Sequence, residues 1–318
     1  MKIALLEPLG VPAELIEELA APVRQAGHTF VYYDQKTTDP EELKRRSEGA
    51  EVVMIANNPY PADVVNAADE LKLLNVAFTG IDHVALDACK EKGVMVCNAA
   101  NYSNQTVGEL VIGMTIALLR KMTVCNERVR CGGTAAGLAG REIAGRTVGI
   151  VGTGRIGMIT AKLFWAFGAK VIACDPVQNP EAIAMGIEYM SLADVMAKSD
   201  IVSIHTPNMP STRGLISREM IALMKPTAIF INCARGPIVD SAALADALNE
   251  DRIAGAAVDV YNVEPPIPDS EPLLHAKNTL LTPHIAFLSE ESMVRRAHIV
   301  FANLQAYLSG KPENVCAF

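Results

Sequence analysis

The chain lacks the marks of several common protein classes. Its seven cysteines, Cys89, Cys97, Cys125, Cys131, Cys174, Cys233 and Cys316, are odd in number and scattered, with no C-x-x-C pair. That pattern excludes a disulfide framework and a structural zinc site, so the expectation is no metal and a reducing, cytoplasmic setting. No apolar run is long enough for a bilayer: the longest, residues 106–119, contains Glu109 and falls short of the ~18 residues a span requires. Residues 1–6 are cut off by Glu7 and Pro8, too soon for a signal peptide. Positive charge is not in excess. Lys and Arg number 28 against 36 Asp and Glu, a net charge of −8, which argues against a nucleic-acid surface. The one dense basic stretch, Lys44-Arg45-Arg46, reads as the solvated face of a helix. Short-period repeats and low-complexity tracts are missing as well.

What is present is a 318-residue chain, half of it apolar, enough for two moderate cores. Residues 2–6, 29–33, 51–56, 73–78 and 94–96 read as short buried strands, with helical stretches such as 14–26 and 61–69 between them. A buried helix over 103–120 follows, and then a Gly-rich segment, 131–145, that reads as an arm or linker. From Thr147 the alternation resumes, with strands at 171–174, 201–205, 228–232, 255–260 and 279–281, six in all with the one at 147–151. Residues 289–308 are helical, and their pattern does not say which core they cover. The fold class is α/β, with doubly wound parallel sheets.

The most informative segment is Thr147-Val148-Gly149-Ile150-Val151-Gly152-Thr153-Gly154-Arg155-Ile156-Gly157, followed by a second strand that ends at Asp175. A lone G-x-G-x-x-G is weak evidence. Here a strand precedes it, a helical pattern opening on Arg155 and Ile156 follows, and an acidic residue stands about 20 residues on, the arrangement of a dinucleotide-binding βαβ unit. Gly152 permits the tight turn, Gly154 lets backbone approach a pyrophosphate, and Gly157 lets helix and strand close. The helix N-terminus offers free N–H groups and partial positive charge to the anion. Asp175 would accept from a ribose diol and repel a 2′-phosphate, which favours NAD over NADP. The structural alternative is an ordinary strand-to-helix turn.

Three polar residues follow late strands of the same unit: Arg235 after 228–232, Glu264 after 255–260 and His284 after 279–283. In an open parallel sheet those strand ends share one edge with the glycine loop, where ligands bind. Hydride transfer to or from a carbinol carbon needs an acid/base for the oxygen, and His titrates in the right range. A neighbouring carboxylate would orient the ring, and Arg235 would offer a planar fork to a carboxylate and charge to a developing alkoxide. Each residue alone has a plain alternative: a structural His after Pro283, an Arg bonding a loop carbonyl beside Gly236, a solvated Glu before Pro265.

Residues 152–157, Asn232-Cys233-Ala234-Arg235-Gly236-Pro237-Ile238-Val239-Asp240, Ala257-Val258-Asp259-Val260-Tyr261-Asn262-Val263-Glu264-Pro265 and Thr282-Pro283-His284-Ile285-Ala286 resemble the signatures of the D-isomer-specific 2-hydroxyacid dehydrogenases. The resemblance spans nearly the whole chain. It implies a flavodoxin-like substrate domain made of residues 1–100 and 290–318, a Rossmann NAD-binding domain over 101–289, and a site in the cleft between them. It implies that Arg235 binds substrate, Glu264 supports His284, and His284 is the acid/base. Thr79 and Gly80 would present backbone N–H groups to the substrate carboxylate, with a plain strand-to-helix turn as the alternative. Thr206, Pro207, Cys233, Ala234 and Asp259 would line the nicotinamide half of the cofactor site.

The resemblance has local departures. The loop Ile55-Ala56-Asn57-Asn58-Pro59-Tyr60 carries no Lys or Arg, a poor match for a phosphorylated substrate. Ala286-Phe287 is closer to the D-lactate dehydrogenase branch, pointing to a small or apolar 2-oxo acid. The arm 121–145 lacks the family's usual tryptophan, though a homodimer is still expected. The leading expectation is a cytoplasmic NAD-dependent enzyme interconverting a small unphosphorylated 2-oxo acid and its D-2-hydroxy acid, with no nucleic-acid or membrane partner. Two alternatives stay open: a short D-3-phosphoglycerate dehydrogenase, and an NADH-sensing corepressor-like interaction protein.

Overall fold

Short runs of aliphatic residues, buried on both faces, make the strands of this chain, as parallel sheets flanked by helices require. The computed structural model describes residues 1–264 and 266–318, so Pro265, which closes the third motif, lies outside the described residues. The chain divides into two compact units, Met1–Ser103 with Leu288–Phe318, and Asn104–Phe287.

In the first unit, β1 (Lys2–Leu5), β2 (Thr29–Tyr32), β3 (Val52–Ile55), β4 (Leu73–Val76) and β5 (Met95–Asn98) form a parallel sheet of order β2-β1-β3-β4-β5. This is the flavodoxin-like winding, with its switch point between β1 and β3. The helix Glu290–Leu308 belongs to this unit, a placement its pattern alone did not reveal. Ser289 caps it reciprocally with Ser292, and Val300, Phe301 and Leu304 are buried in the core with Ile3, Val52 and Leu73. Each such side chain contributes about 1.5–3 kcal/mol on burial.

In the second unit, β6 (Thr147–Val151), β7 (Lys170–Cys174), β8 (Glu188–Tyr189), β9 (Ile201–Ile204), β10 (Ile229–Asn232), β11 (Gly255–Val258) and β12 (Thr279–Leu281) form an all-parallel sheet of order β12-β11-β10-β9-β6-β7-β8. The order reverses between β6 and β9, as in a Rossmann sheet, and opens a crevice at the strands' carboxyl ends. The helix Asn104–Leu119 covers one face through Val107, Val111, Ile112 and Met114. Among the described residues, no helix is long and apolar enough to cross a membrane.

The structure adds two elements and overturns one reading. The sheet gains β8, a two-residue strand too short to leave a pattern. Ahead of the Gly-rich segment, Met122–Arg130 is a helix that buries none of its own residues, so no apolar stripe announced it. Arg46 is not on a solvated face: it is buried, donates to the Leu6 and Gln35 carbonyls at 2.7 and 2.6 Å, and lies over the Tyr33 ring. A basic run marks charge, not which turn of the helix faces the core.

Candidate active site

The glycine loop leaves β6 with Gly152 at φ +98, where a Cβ would sit 2.8 Å from the His205 carbonyl oxygen. At Gly157 the approach is closer still: a Cβ would lie 2.0 Å from the Gly152 oxygen. Gly154 differs. It caps the helix Arg155–Ala166, and a Cβ there would meet nothing within 4 Å. Its space is thus open above the first-turn N–H groups of Arg155 and Ile156, which an α-helix leaves unsatisfied. Asp175 is held rigidly at the end of β7. Its Oδ2 accepts the Thr153 N–H at 2.7 Å and the Thr153 hydroxyl at 3.2 Å, and its Oδ1 accepts the Val177 N–H at 2.9 Å. The Tyr189 hydroxyl on β8 donates to Thr153 Oγ1 at 2.8 Å and accepts the Asn179 N–H at 2.9 Å. Tyr189 leaves no signal in the sequence because β8 is too short to show a period, and Thr153 stands inside the glycine motif with no mark of its side-chain role.

Beside this loop, His205 is half-buried, its Nε2 is 2.9 Å from Ser203 Oγ, and loss of solvent pushes its pKa down to about 4. The hydroxyl of the next residue, Thr206, is buried without a hydrogen-bond partner among the described residues. Pro207 is exposed, and its carbonyl accepts from the Thr212 hydroxyl at 2.6 Å. An open space at Gly154 that a Cβ would enter, an oriented carboxylate and an orphaned buried hydroxyl fit a dinucleotide.

Further along the same sheet edge stand Arg235, Glu264 and His284. Asn232 closes β10 by accepting the Ala234 N–H at 3.0 Å and donating to the Arg235 carbonyl at 3.1 Å, which fixes the extended Arg235 backbone. The Arg235 Nη1 donates to the Ala234 carbonyl at 2.7 Å. Cys233 faces the core: its thiol donates to Met114 Sδ at 3.6 Å, and burial pushes its pKa well up, so only its backbone can meet a ligand. Gly236 packs directly on the next strand's loop, since a Cβ there would lie 2.1 Å from the Tyr261 carbonyl carbon. The Tyr261 N–H donates to Glu264 Oε1 at 2.5 Å, and Glu264 Oε2 bonds to His284 Nδ1. Both side chains remain partly exposed.

The turn that carries His284 is organised by Asp259, whose side chain is 0% exposed. Its backbone oxygen accepts the His284 N–H at 2.8 Å. Its carboxylate accepts the Ile285 and Ala286 N–H groups, both at 2.8 Å, and the Thr282 hydroxyl at 2.5 Å. Burial raises the Asp259 pKa, and these hydrogen bonds oppose the rise. His284 adopts φ +54 there and meets the Phe287 ring edge-on at 5.6 Å.

In the first unit, Thr79 and Gly80 stand past the end of β4, and neither N–H donates to another described residue. Across the switch point, buried Glu7 accepts the Ala56 and Asn58 N–H groups at 2.7 and 2.8 Å. The side-chain amide of Asn58 is buried without a hydrogen-bond partner among the described residues. Neither Glu7 nor Asn58 was picked out in the sequence, though an acidic residue ending an apolar strand is a readable signal. Among the described residues no group of three metal-ligating side chains converges.

The model of the D-isomer specific 2-hydroxyacid dehydrogenase NAD-binding domain matches residues 112–286. A glycerate dehydrogenase of Methylorubrum extorquens is 37% identical, over 94% of this chain and 96% of its own length. A hydroxypyruvate reductase of Blautia hydrogenotrophica is 34% identical, over 91% and 92%. A D-3-phosphoglycerate dehydrogenase of Methanocaldococcus jannaschii is 36% identical over 86% of this chain, which spans 53% of that protein. Among solved structures, the D-lactate dehydrogenase of Aquifex aeolicus complexed with NAD and lactic acid superposes with a TM-score of 0.84 at 28% identity, covering 96% of each chain.

Proposed function

The chain belongs to the D-isomer-specific 2-hydroxyacid dehydrogenase family, and from that premise we propose that it interconverts a small unphosphorylated 2-oxo acid and its D-2-hydroxy acid with NAD. The observation that carries this reading is the His284–Glu264 pair, hydrogen-bonded on a turn that Asp259 pins at three points. In reduction His284 gives a proton to the substrate oxygen, and in oxidation it takes one back. Glu264 holds the ring by Nδ1 and stabilises the imidazolium, which leaves Nε2 as the exchanging nitrogen. Arg235 pairs with the substrate carboxylate and stabilises negative charge on the reacting oxygen. Thr79 and Gly80 offer their N–H groups to a carboxylate. Bound NADH supplies the hydride, and NAD⁺ accepts it in reverse.

The residues that would hold the cofactor are Gly152, Gly154, Arg155, Ile156 and Gly157 at the pyrophosphate, and Asp175 at the adenosine ribose. Thr206, Pro207, Cys233 and Ala234 line the nicotinamide half through backbone and the Thr206 hydroxyl. Asp259 serves that half by fixing the His284 turn. A carboxylate at position 175 opposes a 2′-phosphate, so NADH is preferred over NADPH. The test is a panel of pyruvate, hydroxypyruvate, glyoxylate and branched 2-oxo acids with each cofactor. Turnover of none of them overturns the reading, and a preference for NADPH overturns the role of Asp175.

A phosphoglycerate dehydrogenase is the second reading, favoured by the relative of that name. Against it stands the 55–60 loop, which holds no cation. Faster turnover of phosphoglycerate than of glycerate would decide for it. We assign a reducing cytoplasm, which suits the free thiols, and a homodimer formed through residues 121–145. Met122, Val124 and Val129 are exposed on a helix that buries nothing of its own, an apolar surface that fits a second copy. Sedimentation of the purified protein as a monomer would refute the dimer.

A further inference from the structure

The first unit contains a connected set of asparagines to which the reaction described so far gives no part. Asn75 on β4 and Asn303 on the helix Glu290–Leu308 are 0% and 1% exposed. Asn75 Nδ2 donates to the Val300 carbonyl at 2.7 Å, and Asn303 Nδ2 donates to Asn75 Oδ1 at 3.3 Å and to the Asn98 carbonyl at 2.9 Å. The Asn314 Nδ2 donates to Asn303 Oδ1 at 2.8 Å, and the Asn314 carbonyl accepts the Asn98 N–H at 3.1 Å. Asn98, at the end of β5, is therefore gripped through its backbone by the last helix and by the segment after it. Its side chain points the grip at one place: Nδ2 donates to the Thr79 carbonyl at 2.8 Å.

A peptide unit is planar and trans, so fixing its carbonyl fixes the opposite direction of the N–H in the same unit. The Thr79 carbonyl shares its unit with the Gly80 N–H. The preceding unit is fixed in the same way, because the Phe78 carbonyl accepts the Ala99 N–H at 3.0 Å, which turns the Thr79 N–H away from β5. Two successive donors thus face away from the end of β5, one set by backbone and the other by the Asn98 side chain. Packing alone does not call for this. Buried amides are costly unless every partner is in place, and apolar side chains would fill β4 and the helix equally well.

We propose that Asn98 is a positioning residue for substrate binding: it locks the Thr79–Gly80 peptide so that the Gly80 N–H is held ready for the carboxylate of the 2-oxo acid, with Asn303 and Asn314 bracing it. This rests on the reading of Thr79 and Gly80 as the carboxylate site. Asn98→Asp keeps the size of the side chain but loses the donor and sets a negative charge against the Thr79 carbonyl. Asn98→Ser keeps a polar group that does not reach Thr79, and it carries the test if the Asp variant fails to fold.

The expected result is a rise of about tenfold in KM for the 2-oxo acid and in the dissociation constant of oxamate from the NADH complex. The kcat and the NADH affinity stay near wild type. A purely structural role would lower the melting temperature and the active fraction without moving KM. Gly80→Pro, which deletes the donor itself, separates the two claims. If Gly80→Pro raises KM and the Asn98 variants do not, the inference is overturned alone. If Gly80→Pro leaves KM unmoved, the carboxylate site falls and the inference with it.

Discussion

His284 holds a left-handed backbone, φ +54, which costs a residue with a Cβ about 1–2 kcal/mol. The cost is sustained because Asp259 over-determines the turn, taking the Ile285 and Ala286 N–H groups and the Thr282 hydroxyl on one carboxylate. Removing the imidazole by His284→Ala should lower kcat by roughly 10²–10⁴-fold while NADH binding, read by fluorescence titration, stays within about twofold. Wild-type turnover in that variant would end its assignment as acid/base. Asp259→Asn retains shape but offers one acceptor oxygen where two are used. It should cost about 1–3 kcal/mol of stability in urea unfolding and slow turnover with His284 itself intact. Arg235, Glu264 and His284 were legible in the sequence because they follow strand ends. The pinning role of Asp259 was not, since nothing along a chain marks which N–H groups a buried carboxylate will accept.

At the scale of elements, the glycine loop separates two properties that a substitution usually confounds. At Gly157 a Cβ would lie 2.0 Å from the Gly152 oxygen, a backbone atom that cannot swing aside. Gly157→Ala should therefore lower the melting temperature and NADH affinity together. At Gly154 a Cβ meets no protein atom within 4 Å, so Gly154→Ala should fold with an unchanged melting temperature. It should still bind NADH at least tenfold more weakly, because the added methyl stands where a pyrophosphate approaches the helix end. Equal NADH affinity in Gly154→Ala and wild type would move the phosphate site elsewhere. The strands of both sheets were readable because each is a continuous apolar run closed by a turn. Glu188–Tyr189 is too brief to show a period, and Met122–Arg130 has no buried face, so both escaped. Arg46 shows a related limit: its charge is visible in the sequence, but the Leu6 and Gln35 carbonyls that receive it are set by tertiary contact.

For the molecule as a whole, chain order conceals that Glu290–Leu308 completes the first unit, because an amphipathic helix carries no label for the core it joins. Global stability carries a pH dependence that the sequence also concealed, since nothing along the chain marks which histidine ring loses its solvent. Its folded pKa is lowered from 6.5 to about 4 by loss of solvent. In the unfolded chain the ring takes up its proton near 6.5, so between about 4 and 6.5 the unfolded state binds more protons than the folded one. The stability linked to His205 is then fully present above pH 6.5 and is lost as the pH falls toward 4, on the order of 3 kcal/mol in all. Asp259 and Glu7 act with the opposite sign: burial raises their folded pKa values, so their contribution falls as pH rises above the ordinary carboxylate range. Total stability mixes these slopes, and only a difference curve isolates the imidazole. Urea unfolding of wild type and His205→Asn from pH 4 to 7 should show the wild type gaining about 3 kcal/mol relative to the variant across that span. A flat difference would mean that the ring beside the Gly152 turn is not held neutral in the folded protein.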